Sequence, residues 1–232
     1  MKSAKEVPVL MYHHLVKKND NKFKKDPCVI NNKDFEKQMK YLYENDFNTI
    51  TLKELEMFIK GEMDLPFKSI LITFDDGYES SFLYAYPILR KFSFKAVNFI
   101  ITNKISNEKG IKYLNKEKLN KMSDVFEYGS HTHNLHREDK NNRSFLITKP
   151  RKELIKDLRL SMSILNTKYF AYPFGDYEED TINLLKEVGF VMAFTVTGGN
   201  VKLKDDMFKL KRNHVGPNTT IDEFIKIVEN KV

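Results

Sequence analysis

Two adjacent aspartates and six histidines mark where this chain can do chemistry. Asp75 and Asp76 end the apolar run Ser69-Ile-Leu-Ile-Thr-Phe and are followed by Gly77. The histidines are His13 and His14, then His131, His133 and His136 within Gly129-Ser-His-Thr-His-Asn-Leu-His136, and finally His214. Imidazoles and carboxylates exchange protons, and both ligate divalent transition metals. Two imidazoles and one carboxylate make a three-ligand set with open positions, the arrangement of catalytic Zn²⁺ and related cations. Residue types alone leave the histidine pair open. His131 and His133 would share a strand face and His133 and His136 a helix face, whereas His131 and His136 meet only through an irregular turn.

These groups need rigid elements to hold them, and most fall at the ends of expected strands. Ile70, Leu71, Ile72 and Phe74 read as a strand buried on both faces, so Asp75 and Asp76 sit at its C-terminal end, where α/β folds collect ligands. Gly77 permits the sharp exit. Val7 to Tyr12 is a first strand that His13 and His14 close. Lys17 to Asn32 is polar and turn-rich, the pattern of a loop. Asp34 to Glu44 carries Phe35, Met39, Leu42 and Tyr43 at helical spacing. Phe47 to Ile50 is a short strand, and Thr51-Leu-Lys-Glu54 opens a helix that Gly61 stops. A helix near Ser80 to Phe92, a strand over Lys95 to Thr102 and a helix over Asn115 to Met122 lead to the strand Val125 to His131. After a polar loop around Arg137 to Lys149 come a helix over Pro150 to Leu165, a strand over Tyr169 to Tyr172 and the turn Pro173-Phe174-Gly175. The helix Glu178 to Val188, strands over Phe190 to Val196 and Phe208 to Val215, and a helix from Thr219 to Val228 complete the chain. This alternation predicts an α/β fold, a distorted barrel of about seven parallel strands in a single domain.

The 232 residues, 41% of them hydrophobic, suffice for one sizeable core. No run reaches the ~18 apolar residues of a membrane span. The single cysteine, Cys28, rules out an internal disulfide framework. A net charge of +7 favours acidic surroundings such as an anionic cell wall or membrane surface. The lysines alternate with acids and apolar residues, including Lys209 and Lys211-Arg212, which predicts a solvated surface and no nucleic-acid partner.

Thr73-Phe-Asp-Asp-Gly77, Ser130-His-Thr-His-Asn-Leu-His136 and Ala171-Tyr-Pro-Phe-Gly175 together resemble the motifs of polysaccharide deacetylases with a NodB-type domain, carbohydrate esterase family 4. The resemblance runs from Met11-Tyr-His-His to the final helix, so residues 1–232 are expected to form one such catalytic domain. The spacing of five between His131 and His136 is most similar to the branch acting on poly-β-1,6-N-acetylglucosamine in biofilm matrix. The resemblance implies a hydrolase that removes N-acetyl groups from N-acetylglucosamine residues and releases acetate, with peptidoglycan or chitin oligomers as alternative substrates. It implies Asp76, His131 and His136 as ligands of one divalent metal ion, Zn first and Co, Ni, Mn or Fe as substitutes. Asp75 is then the general base, His214 the general acid, and the backbone N–H of Phe174 an oxyanion donor. Tyr172, Phe174 and His13 are expected to line the sugar site, and His13 is a second candidate acid. The implied partner is an N-acetylglucosamine polymer, the implied state a monomer and the implied location extracellular or at the cell surface. The opening Met1-Lys-Ser-Ala-Lys-Glu has no apolar leader, so export is expected to have used one absent from this chain.

Three departures from the family pattern stand out. Ala171 occupies the place of the arginine that usually orients the base, the chain has no tryptophan, and the late Leu-x-His reads Arg212-Asn-His214. Asp75 is therefore expected to lack an arginine. Two rivals are weaker. A haloacid-dehalogenase-type phosphatase spaces its acids as Asp-x-Asp, pointing the same way, whereas Asp75 and Asp76 are adjacent. A non-catalytic glycan-binding domain would have lost the base, which is present.

Overall fold

The computed structural model describes residues 3–17 and 26–229. Part of the expected loop over Lys17 to Asn32 lies outside the described residues. The rest contains structure that the polar composition hides. His14–Val16 forms β2 after β1 (Glu6–Tyr12), and Val29–Asn31 forms β3 beside it in a parallel pair. His14 thus opens a second strand instead of closing the first. Asn31 then caps α1 (Asn32–Glu44), its side chain accepting from the amides of Lys33 and Asp34.

The main sheet is built as the alternation requires. β4 (Asn48–Thr49), β5 (Ser69–Phe74), β6 (Ala96–Ile100), β7 (Phe126–Ser130), β8 (Tyr169–Ala171) and β9 (Met192–Phe194) each precede or follow a helix. β1, β5, β6, β7, β8 and β9 lie side by side and parallel. An unforeseen edge strand, β10 (Asn200–Lys202), runs antiparallel along the start of β1. The predicted strand over Phe208 to Val215 is reduced to β11 (Asn213–His214), parallel to β1, plus a bridge between Phe194 and Leu210. This segment spans the gap between β9 and β1. Leu210 exchanges backbone hydrogen bonds with Ala193 and Thr195, and Val215 bonds Met11. The sheet is a curled α/β barrel whose last turn is closed by irregular chain.

Strand alternation sorts the core into two sides. On β5, Ile70, Ile72 and Phe74 join the cluster packed with α1, together with Tyr12, Phe35 and Leu42. Leu71 belongs to the opposite cluster with Val9, Val97, Phe99 and Phe194. There α2 (Leu52–Lys60) covers one end with Leu52, Leu55, Phe58 and Ile59. Its start is the predicted capping box of Thr51 and Glu54, and Gly61 at φ 75° ends it. The expected helix over Ser80 to Phe92 is broken into a π-turn at Ser81–Ala85 followed by α3 (Tyr86–Lys91). Pro87 lacks the N–H an unbroken α-helix would use there, and the Tyr86 amide reaches back to Ser81. α4 (Lys116–Lys121), the short α5 (Phe145–Thr148) inside the polar stretch, α6 (Arg151–Leu165), α7 (Glu179–Val188) and α8 (Ile221–Glu229) complete the outer layer.

Candidate active site

Asp75 continues the inward phase of Leu71 and Thr73, and it is 3% exposed. Asp76 leaves that phase because its backbone turns left-handed, at φ 75°, followed by Gly77 at φ 82°. A side chain at Gly77 would crowd Ile100, whose Cδ1 is 3.0 Å from a Cβ built there. The two carboxylates therefore diverge by a backbone reversal as well as by strand alternation.

The Asp75 carboxylate is clamped. Arg212 Nη1 donates to Oδ1 at 2.7 Å and Nη2 donates to Oδ2 at 2.8 Å. Arg212 is 0% exposed, and its Nε donates to the Thr195 carbonyl while its plane lies over the Phe99 ring. Burial pushes the Asp75 pKa up, but the Arg212 guanidinium outweighs it and holds the group far below the usual carboxylate range. The expectation that Asp75 lacks an arginine is thus corrected. The guanidinium comes from the closing segment instead of from position 171. Arg212 is also no part of a solvated basic surface, since its charge is spent inside the barrel mouth.

The other carboxylate faces His131 and His136. Asp76 Oδ1 lies 3.6 Å from His131 Nε2 and 3.3 Å from His136 Nε2, and it has no hydrogen-bond partner among the described residues. His131 Nδ1 donates to the Ala171 carbonyl at 2.8 Å, which leaves Nε2 as the lone-pair atom aimed at Asp76. The turn between the histidines is held by Asp157, whose two oxygens accept from the amides of His133 and Asn134 at 2.7 Å each. Thr132, at φ 71°, supplies the irregular conformation. His133 turns away, its Nδ1 hydrogen-bonded to Thr102 Oγ1 at 2.9 Å. Of the three possible pairings, the structure brings His131 and His136 together.

This donor set fits a divalent cation. One ligand atom from each of Asp76, His131 and His136 lies within 4.8 Å of the others. Three converging acceptors with an orphaned carboxylate oxygen among them are costly unless a cation or a proton sits between them. Burial shows the same strain, raising the Asp76 pKa to about 6 and lowering that of His131 to about 3.

The remaining predicted residues divide. His13 Nε2 is 3.9 Å from Asp75 Oδ2, and its ring is 6.0 Å from that of His214, which is placed by β11 at the mouth. Both imidazoles have lowered pKa values, with burial the main cause and Arg212 adding to it. Phe174 is 42% exposed at φ 59°, its ring centroid 4.4 Å from that of His136. Tyr172, expected to line a sugar site, does not reach the surface of the mouth. Its ring is fully buried against Phe170 and Tyr177, and its hydroxyl donates to the Phe208 carbonyl at 3.0 Å. His14 is likewise outside, with Nδ1 2.9 Å from Ser80 Oγ.

Fold and site together place a triad able to hold a metal ion, Asp76, His131 and His136, beside a clamped aspartate at the barrel mouth. The chain belongs to the polysaccharide deacetylase family, whose model matches residues 62–193. It is 34% identical over 172 residues to the poly-β-1,6-N-acetyl-D-glucosamine N-deacetylase of Staphylococcus aureus (strain MSSA476). That match covers 70% of this chain and 59% of the relative, so it spans less than two thirds of the relative's length. Among solved structures, IcaB from Ammonifex degensii is 26% identical, with a TM-score of 0.84 over 98% of this chain and 97% of that one. The Streptococcus pyogenes deacetylase PplD, in complex with acetate, is 21% identical and shares the fold, with a TM-score of 0.85 over 98% of this chain and 99% of that one.

Proposed function

We propose that the protein is a metal-dependent N-deacetylase acting on N-acetylglucosamine residues of a polysaccharide, poly-β-1,6-N-acetylglucosamine first. The observation that carries this reading is the convergence of Asp76 Oδ1, His131 Nε2 and His136 Nε2 beside an aspartate kept ionised by Arg212. The linkage is suggested by the name of the Staphylococcus aureus relatives.

Asp76, His131 and His136 would hold the cation, with Zn²⁺ preferred by a two-imidazole, one-carboxylate set and Co, Ni, Mn or Fe as substitutes. When bound, the cation polarises the acetamide carbonyl and acidifies water. Asp75 takes the proton from the attacking water, a contribution typically of ~10²- to 10⁴-fold in rate. Arg212 fixes the direction of its lone pairs. The backbone N–H of Phe174 donates to the developing oxyanion. His214 delivers a proton to the leaving nitrogen, so that an amine and acetate result, while His13 lines the opposite wall against Asp75. The exposed Phe174 ring offers a face to the sugar. A monomer working outside the cell or on its surface, drawn to anionic wall polymer by its net positive charge, suits such a substrate. No helix among the described residues is long and apolar enough to cross a membrane.

The test is acetate release by Zn²⁺-loaded protein from acetylated β-1,6-glucosamine oligomers, chitin oligomers and peptidoglycan. Release chiefly from the β-1,6 oligomers is expected. Release only from one of the other two would move the substrate. No release from any of them, with metal bound, would overturn the enzymatic reading.

A further inference from the structure

A second group of soft ligands sits at the rim of the same mouth. One ligand atom each from His13, Cys28 and His214 lies within 4.8 Å of the others. Cys28 is the only cysteine of the chain. Its backbone is pinned from both sides, the amide donating to Asp26 Oδ1 at 2.9 Å and the carbonyl accepting from the His14 amide at 3.2 Å. The segment reaches His214 only because residue 216 is glycine. A Cβ there would lie 2.5 Å from the Pro27 carbonyl oxygen and 2.7 Å from His214 Cε1. His13 carries a buried Nδ1 with no hydrogen-bond partner among the described residues. The deacetylation chemistry uses His214 and His13 but neither the thiol nor the glycine, and it leaves their placement beside the two imidazoles unexplained.

We propose that His13, Cys28 and His214 form a second binding site for a thiophilic divalent cation such as Zn²⁺, and that filling it switches off the neighbouring centre. The donor chemistry is that of Cys-His zinc sites, which bind as thiolate and neutral imidazole. Tetrahedral Zn²⁺ places such N and S atoms about 3.3–3.6 Å apart, so the three side chains need to draw in by about an ångström. The exposed His214 has room to do so. Binding forms one metal–sulfur and two metal–nitrogen contacts, and the thiol proton leaves to solvent. The fourth position is open to water. The inhibitory consequence rests on the function proposed above, because it removes His214 from the leaving amine. The site itself does not.

The experiment titrates the full chain, freed of metal and kept reduced, with Co²⁺ and with Zn²⁺. Two equivalents are expected in the wild type, the second bringing a thiolate-to-cobalt charge-transfer band in the near ultraviolet. Cys28→Ser should bind one equivalent, without the band, and lose the inhibition that excess Zn²⁺ imposes on wild-type acetate release. In the unmutated chain, the second equivalent should slow alkylation of Cys28 by iodoacetamide more than about tenfold. A single equivalent in the wild type, a second without the band, or alkylation indifferent to metal would overturn the site. If both equivalents and the band appear but no substrate releases acetate, the second site stands and the deacetylase reading fails instead.

Discussion

Asp75 and Asp76 are chain neighbours and almost equally buried, at 3% and 6% exposed, yet their surroundings are opposite. Around Asp75 the protein is complete. Both oxygens are bonded to Arg212, and the guanidinium is in turn satisfied by Thr195, Asp75 and the face of Phe99. Around Asp76 it is incomplete, with an oxygen that lacks a hydrogen-bond partner among the described residues and a His131 Nε2 that presents a lone pair instead of a proton. Burial makes an unpaired carboxylate expensive, so the first half is finished by folding and the second only by a ligand. A general base must be ionised and fixed before substrate arrives. A metal centre must keep acceptor atoms unspent.

The widest separation between the halves is expected in paired substitutions. Asp75→Asn should cut acetate release by about 10²- to 10⁴-fold while Zn²⁺ still binds, whereas Asp76→Asn should lose both, as followed by turnover and by calorimetric metal titration. Abolished metal binding in Asp75→Asn would erase the distinction. Next, Arg212→Met strips the clamp and leaves a buried carboxylate alone. It should destabilise the fold by about 3–5 kcal/mol, a drop of about 6–20 °C in melting temperature. An unchanged melting temperature would mean that the Asp75 half is not held by this pair.

The metal half should show its own proton dependence. A cation competes with the proton that Asp76 takes up at about 6. Below that value each pH unit should therefore weaken Zn²⁺ binding about tenfold, while above it the Asp76 contribution flattens. The lowered pKa of His131, about 3, keeps that imidazole from setting the limit. Affinity that stays constant from pH 4 to 7 would contradict the incomplete half. The smallest effect concerns a residue in neither half. Tyr172→Phe should cost about 1 kcal/mol in denaturant unfolding, from its hydrogen bond to Phe208, and leave KM unchanged. A raised KM would return Tyr172 to the sugar site.

Much of the architecture was legible because local rules and tertiary structure agree. The strand before Asp75, the capping box at Thr51 and Glu54, the stop at Gly61 and the alternation of strand and helix follow from period, caps and turn residues. β3 was not legible, because three residues inside a polar stretch carry too little pattern and pair only through β2. The closing segment was readable only in part, as a strand over Phe208 to Val215, since its bonds to β9 and β1 are long-range and leave only two residues with regular strand pairing. Arg212 was hidden by its setting. Beside Lys211 and among surface lysines it looks solvated, although a charge two residues before a strand-end histidine, in phase with buried Leu210, was the available signal.

By itself the sequence determined which groups are able to do chemistry: the paired aspartates, the histidines and the rigid strands that end on them, because ligand chemistry and hydrophobic period are properties of residue type. Tertiary structure alone decided which of them meet. Asp157, from a distant helix, selects His131 with His136 over the pairs that share a strand or helix face. A barrel closed by irregular chain lets Arg212 take the place Ala171 leaves open. A guanidinium can reach one carboxylate from any strand whose end faces the mouth, so geometry constrains where its head lies and leaves free where in the chain it is attached.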